Sequence, residues 1–154
     1  MAQEIERKFL LRTEDWRGLA PGRACVQGYL AGNEACSVRV RIVEDTAALT
    51  VKGATIGAAR HEFEYAIPLE DARQMLATLA GKPLIEKTRH TVEYKSFYWE
   101  IDEFHGNNQG LVVAEIELEH EDQVFEKPPW IGEEVTGDPR YYNANLVRVP
   151  YSAW

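Results

Sequence analysis

EIERKFLL, residues Glu4 to Leu11, is the stretch on which the reading of the chain turns. Side chains of a strand alternate between its two faces, so Glu4, Glu6 and Lys8 share one face while Ile5, Phe9 and Leu11 share the other. Carboxylates at i and i+2 stand roughly 7 Å apart along such a face, a spacing that admits a divalent cation between them. The lysine is next in line for an anion. One strand of this kind is ordinary, because a half-exposed strand shows charge to water. It gains meaning because the same parity of charge recurs along the rest of the chain.

Ser37 to Val43 alternates most cleanly, with Ser37, Arg39 and Arg41 against Val38, Val40 and Ile42. Two guanidinium forks pointing one way match phosphate oxygens in geometry as well as charge. Ala24–Ala31 sets Gln27 and Tyr29 opposite Val26 and Leu30, and Ala47–Gly53 sets Thr50 and Lys52 opposite Leu49 and Val51. Arg60–Ile67 turns Arg60, Glu62 and Glu64 one way and His61, Phe63, Tyr65 and Ile67 the other. In the second half, Leu84–Thr91 brings Lys87 and Arg89 together with Ile85, and Phe97–Phe104 sets Tyr98, Glu100 and Asp102 against Phe97, Trp99 and Ile101. Leu111–His120 then sets Glu115, Glu117 and Glu119 against Ala114, Ile116 and Leu118.

Between these strands, Gly32–Glu34, Glu44–Thr46 and His105–Gly110 carry turn chemistry, and Thr13–Gly22 reads as a helical turn or loop. One helix is expected over Leu69–Ala80, where Leu69, Ala72, Met75, Leu76 and Leu79 form an apolar stripe. Glu70 and Asp71 in its first turn and Gly81 beyond its end support those limits. Asp122–Ile131 reads as irregular. A second helix is expected near Arg140–Val147, behind a cap at Thr136 or Asp138.

With 154 residues and 45% hydrophobic content, residues 1–154 are expected to form one domain. No apolar run approaches the roughly 20 residues of a membrane span. The first residues are charged at once, which argues against a signal peptide and makes a cytoplasmic location the expectation, with no membrane partner. Cys25 and Cys36 read as free thiols rather than a disulfide or zinc framework. A net charge of −8 argues against a nucleic-acid partner. A protein of this charge that handles a polyanion must therefore gather its cations in one place. His61, His90, His105 and His120 share no ligand spacing, and Trp16, Trp99, Trp130 and Trp154 read as packing residues. Phosphate-loop, nucleophile-elbow and dinucleotide motifs are all missing from the sequence.

A sheet whose charged faces merely meet water would mix the signs of charge along each strand. Here the strands segregate, with carboxylates in the first and last and cations in the third, fourth and sixth. About eight strands with one clear helix would also leave open edges, and closing the sheet on itself removes them. The fold expected is α+β, an eight-stranded antiparallel closed β-barrel with a charged interior and a few helices packed outside. Lys8, Arg39, Arg41, Lys52, Lys87 and Arg89 would then line a tunnel with Glu4, Glu6, Glu62, Glu64, Asp102, Glu115, Glu117 and Glu119. Cations of this kind grip phosphate oxygens, and carboxylates hold hard ions such as Mg²⁺ or Mn²⁺.

The ordered set, opening on Glu4-x-Glu6-x-Lys8 and running through the late VTGDPRYYNANL segment, resembles the CYTH-domain proteins, or triphosphate tunnel metalloenzymes. The resemblance implies a metal-dependent tunnel that takes a triphosphate end-on. It implies that Glu4, Glu6, Glu115 and Glu117 hold the metal and that Lys8, Arg39, Arg41, Lys52, Lys87 and Arg89 bind phosphate. Glu62, Glu64 and Asp102 would hold a second metal or orient the attacking water. Lys8 and Tyr29 are further catalytic candidates. The cyclase branch of the family carries His-Phe just ahead of the motif, where this chain has Ala2 and Gln3. The opening is similar instead to the bacterial inorganic triphosphatases, which implies hydrolysis of tripolyphosphate to pyrophosphate and phosphate. A nucleoside or thiamine triphosphatase and a non-catalytic polyphosphate-binding module are the alternatives. A homodimer would cover part of an apolar barrel exterior, and the C-terminal helix is placed to cap one tunnel end.

Overall fold

The computed structural model describes residues 3–154, so Ala2 lies outside the described residues. Charged and apolar alternation becomes strand at each place where the sequence shows it. The elements are β1 (Gln3–Leu11), β2 (Gly22–Gly32), β3 (Cys36–Val43), β4 (Thr46–Gly53), β5 (Ala59–Ile67), α1 (Leu69–Thr78), β6 (Ile85–Tyr94), β7 (Phe97–Phe104), β8 (Val112–Glu117), β9 (Ile131–Glu134) and α2 (Asn143–Arg148). The sheet runs β5-β4-β3-β2-β6-β7-β8-β1-β9, and a further β5–β1 pairing closes its first eight strands into a ring. Neighbours in the ring are antiparallel throughout. The expected eight-stranded tunnel is the observed architecture.

The seam of the ring lies along β1. One of its edges pairs with β8 through Glu6–Leu10. Its other edge is shared, with Gln3–Ile5 on β5 and Phe9 and Leu11 on β9. The ninth strand was not expected, because Ile131–Glu134 has no alternation of its own. It is made by long-range contacts instead. Arg7 grips Glu134 with two donors at 2.8 and 2.6 Å, Val135 N–H reaches Lys8 O at 2.9 Å, and Thr136 Oγ1 accepts from Lys8 N–H at 2.9 Å.

The barrel's apolar face points outward and is covered in two places. Phe9, Val92, Trp99, Ile101, Ala114 and Ile116 pack beneath Trp16, Trp130 and Ile131. On the other side, Val40, Val26, Ile42 and Leu49 take up Ala72 and Leu76 of α1. Gly28 permits that approach, since a Cβ there would stand 2.8 Å from Ala80 Cβ and 2.8 Å from Leu84 Cδ2. The helix ends two residues before the expected Ala80. Leu79 and Ala80 both donate to Met75 O as the last turn widens, which leaves Leu79 exposed rather than in the stripe.

The C-terminal segment also departs from the expected single helix. Asp138 accepts from Arg140 N–H at 3.1 Å and caps a 3-10 turn at Pro139–Tyr141, after which α2 begins. Tyr141 and Leu146 pack with Val135 against Ile85, Phe104, Leu111 and Val113. Register places Ile85, Phe104 and Val113 on the inward face, so this segment plugs one end of the ring, as the position of the C-terminal helix suggested. Among the described residues, no helix is long and apolar enough to cross a membrane.

Candidate active site

Strand register carries one belt of side chains around the inside of the ring. Glu4 pairs with Arg60, Lys52 with Glu62, Thr50 with both Arg39 and Glu64, and Arg39 with Tyr29. Gln27 pairs with Arg41 and Ile85, Lys87 with Cys25 and Phe104, Arg89 with Asp102, and Glu100 with Glu115. Lys8 opposite Glu115 and Glu6 opposite Glu117 complete the circuit. All the expected site residues therefore belong to one inward face. Glu119, expected to line the tunnel, does not: β8 stops at Glu117, Glu119 N–H turns to Gln123 Oε1 at 2.7 Å, and the side chain is exposed outside the tunnel.

The belt is polarised. Strands β8, β1 and β5, contiguous in the ring, carry Glu115, Glu117, Glu4, Glu6, Glu62 and Glu64 beside Lys8 and Arg60, whereas β4, β3 and β6 carry Lys52, Arg39, Arg41, Lys87 and Arg89. Most cations find a carboxylate. Lys8 Nζ sits 2.8 Å from Glu115 and 3.7 Å from Glu6, and Lys52 Nζ lies 3.1 Å from both Glu4 and Glu62. Arg60 adds a contact to Glu4 at 3.2 Å. Asp102, 1% exposed, is held by Lys87 at 2.7 Å and by two donors of Arg89 at 2.8 and 2.9 Å.

Arg39 and Arg41 differ. Among the described residues neither has a carboxylate within salt-bridge distance, that is, within 4.0 Å. Arg39 reaches only Thr50 Oγ1, at 3.4 Å, and its buried Nε has no partner. Arg41 Nε donates to the neutral Gln27 Oε1 at 2.7 Å. Burial, together with the charges of Arg39 and Arg89, pulls the Arg41 guanidinium below its ordinary pKa. The same causes, burial first and then Arg41 and Arg89, bring Lys87 down to about 8 against the pull of Asp102.

On the acidic wall the shifts run the other way. Burial and the neighbouring Glu115 push Glu6 up to about 7. Desolvation and crowding by Glu4, Glu62 and Glu6 push Glu117 up to about 7. Glu115 stays well below the carboxylate range because Lys8, Arg89 and Lys87 outweigh its burial. Glu6 and Glu117 thus hold protons more tightly folded than unfolded, between the ordinary 4.5 and about 7. Their contribution to stability is favourable on the acid side of that window and is lost as pH rises through it. The metal-free protein is expected to melt at a higher temperature near pH 5.5 than near pH 8, in scans run with chelator. A melting temperature that climbs across the same interval would contradict this crowding.

Glu4, Glu6, Glu115 and Glu117 are neighbours in one wall, yet they do not form a closed coordination shell. No group of three or more His, Cys, Asp or Glu able to hold a metal ion is found among the described residues. Lys8, Lys52 and Arg60 occupy the oxygens of Glu115 and Glu4. The donor set still fits a hard divalent ion, being all carboxylate oxygen with two members destabilised by their own kind. Three inward residues had no place in the expected site: Arg60, Gln27 and Asn143. Gln27 is fully buried and bonded to Arg41, and Asn143 Oδ1 accepts from Lys87 Nζ at 3.0 Å. The parity of Gln27 with Tyr29 marked its face, but nothing local marks Asn143, which arrives from α2.

Comparison with known proteins gives a consistent picture. The model of the CYTH domain matches residues 2–150. The chain is 51% identical to an inorganic triphosphatase of Acetivibrio thermocellus over 151 residues, covering 98% of this chain and 97% of that one. It is 35% identical to an inorganic triphosphatase of Nitrosomonas europaea, covering 93% and 95%. A crystal structure of an inorganic triphosphatase superposes with a TM-score of 0.66 at 32% identity, over 93% of this chain and 96% of the other.

Proposed function

The chain belongs to the CYTH-domain family, and from that premise we propose that it is a metal-dependent inorganic triphosphatase, cleaving tripolyphosphate to pyrophosphate and orthophosphate inside its tunnel. The observation that carries this reading is the pair Arg39 and Arg41, enclosed in the ring with no carboxylate among the described residues within salt-bridge distance. Buried cations left unpaired by the protein are matched to an anion brought from outside. We read residues 1–154 as a single domain.

Arg39, Arg41, Lys52, Lys87, Arg89 and Lys8 would take the phosphate oxygens and spread the charge that develops as the phosphoanhydride breaks. Glu4, Glu6, Glu115 and Glu117 would hold Mg²⁺ or Mn²⁺, which supplies Lewis-acid stabilisation of phosphoryl oxygen when bound. A triphosphate entering the ring offers Lys8 and Lys52 new partners and so releases Glu115 and Glu4. Burial pushes Glu62 up, but its hydrogen bond with Glu4 and the charge of Lys52 bring it below the usual carboxylate range. It remains an ionised acceptor for the attacking water, and Glu64, on the same strand face, accepts from Thr50 Oγ1 at 3.2 Å. Lys87, at about 8, can give up a proton to the leaving oxygen near neutral pH, and Tyr29 shares the inward face, opposite Arg39. Both carboxylate oxygens of Asp102 are taken by Lys87 and Arg89, which makes it the group that holds those cations.

Phosphate release from tripolyphosphate, ATP, thiamine triphosphate and pyrophosphate, with Mg²⁺ or Mn²⁺ and with chelator, tests the reading. Tripolyphosphate is expected to be cleaved fastest and chelator to bring release to background. Faster cleavage of ATP or thiamine triphosphate would move the activity to another substrate class, and tight binding without release would make the protein a polyphosphate sensor. The proposal extends to a homodimer formed through the outer face of β5, where Phe63 and Tyr65 remain exposed. Sedimentation of the wild type and of a Phe63→Ser, Tyr65→Ser variant decides that point.

A further inference from the structure

Two neutral amides join the basic wall to the plug. Gln27, 0% exposed, accepts from Arg41 Nε at 2.7 Å and from the Cys25 thiol at 3.9 Å. Its own amide nitrogen donates to Tyr29 Oη at 3.4 Å and to Asn143 Oδ1 at 3.2 Å. That same Asn143 oxygen takes Lys87 Nζ at 3.0 Å. Asn143 is the first residue of α2, and α2 is seated by Leu146, 0% exposed, in the apolar plug. One oxygen on the C-terminal segment is therefore shared by a cation of β6 and an amide of β2, which in turn holds a guanidinium and a phenol.

The choice of groups has a physical reason. Arg41 and Lys87 repel one another inside the ring and need an acceptor to fix their directions. A second carboxylate, beyond the Asp102 that already pairs with Lys87, would fix them and also cancel more of the charge meant for phosphate. An amide oxygen fixes them and leaves the charge in place.

We propose that Gln27 and Asn143 are positioning residues that together aim Arg41, Lys87 and Tyr29 at the triphosphate, making the C-terminal segment part of the catalytic apparatus. The proposal rests on the triphosphatase reading above. Its test is steady-state kinetics on tripolyphosphate for Asn143→Leu, Gln27→Leu, the double variant and Asn143→Asp, each with a thermal melt. Each leucine variant is expected to lose about 10²-fold in kcat, the cost of misplacing a reacting group by about 1 Å, with KM little changed. The double variant should be no worse than the worse single one, since residues acting as a unit are not additive. Asn143→Asp keeps the accepting oxygen but adds charge beside Lys87. It should recover most of the kcat lost in Asn143→Leu while KM for tripolyphosphate rises.

Where a leucine variant melts early, the corresponding alanine variant, which removes the polar atoms without crowding, reads the same step. Wild-type kcat in the leucine variants, additive losses, or an aspartate variant as slow as Asn143→Leu each overturn the proposal. A wild-type protein silent on tripolyphosphate overturns the activity reading, and the relay with it. An active wild type with indifferent variants overturns the relay alone.

Discussion

Replacing Arg39 with methionine is expected to lower tripolyphosphate turnover by about 10²–10³-fold, the usual cost of deleting one preorganised donor. The same substitution is expected to raise the melting temperature of the ligand-free protein. Both effects have one cause. Arg39 is 5% exposed, and among the described residues its Nε is unpartnered and its single side-chain hydrogen bond goes to Thr50 at 3.4 Å. A buried cation without a counter-charge weighs against folding, and methionine fills much of the same volume without that penalty. Tripolyphosphate should therefore stabilise the wild type in a thermal shift assay and stabilise the variant much less. A variant that lost activity and also melted lower would show that the fold itself needs Arg39, and the case for a waiting anion site would collapse.

Removing Asp102 should do the reverse. It is the shared partner of Lys87 and Arg89, all three lie within the ring, and the side chains of Lys87 and Asp102 are 1% and 2% exposed. Asp102→Ala leaves two buried cations facing Arg41 without the carboxylate they share, and about 3–5 kcal/mol of stability should go with it. Urea unfolding measures this directly, and an unchanged slope would show that the two states compared are the same. Glu100 is the internal control. It touches Arg89 at 3.2 Å, but its side chain is 38% exposed, so Glu100→Gln should cost less than about 1 kcal/mol. Equal losses in the two variants would mean that the depth of the Asp102 pair has been misjudged.

These two opposite responses explain what could be read from the linear chain. Strand parity was legible because a ring with a charged inside and an apolar outside must alternate, and the runs at Ser37–Ile42 and Ala114–Leu118 do so, with Arg7 the break in Glu4–Lys8. The segregation of sign between strands pointed to a shared interior. Features made by a single distant contact were not legible. Ile131–Glu134 becomes a strand because Arg7 and Lys8 hold it, and Asn143 enters the site because Leu146 seats its helix. Glu119 misled for a related reason. Its alternation with Leu118 continues in sequence, but the chain has already turned toward Gln123. Which cations pair and which stay free is also a matter of depth and register, so Arg39 and Lys52 look alike in sequence and differ in the fold.

The seam along β1 sets an order of events during synthesis. The first strand of the ring pairs with β8 and β9, with Lys8 and Glu115 107 residues apart and Arg7 and Glu134 127 apart. Contacts so remote close slowly. For most of translation the nascent β1 can pair only through Gln3–Ile5 with β5, and its longer edge must wait in solution. The alternating charges that later face the tunnel guard that edge against other chains in the meantime. A stalled chain ending before Val112 would present both β1 and β7 as open edges, a template for aggregation that the finished ring does not offer.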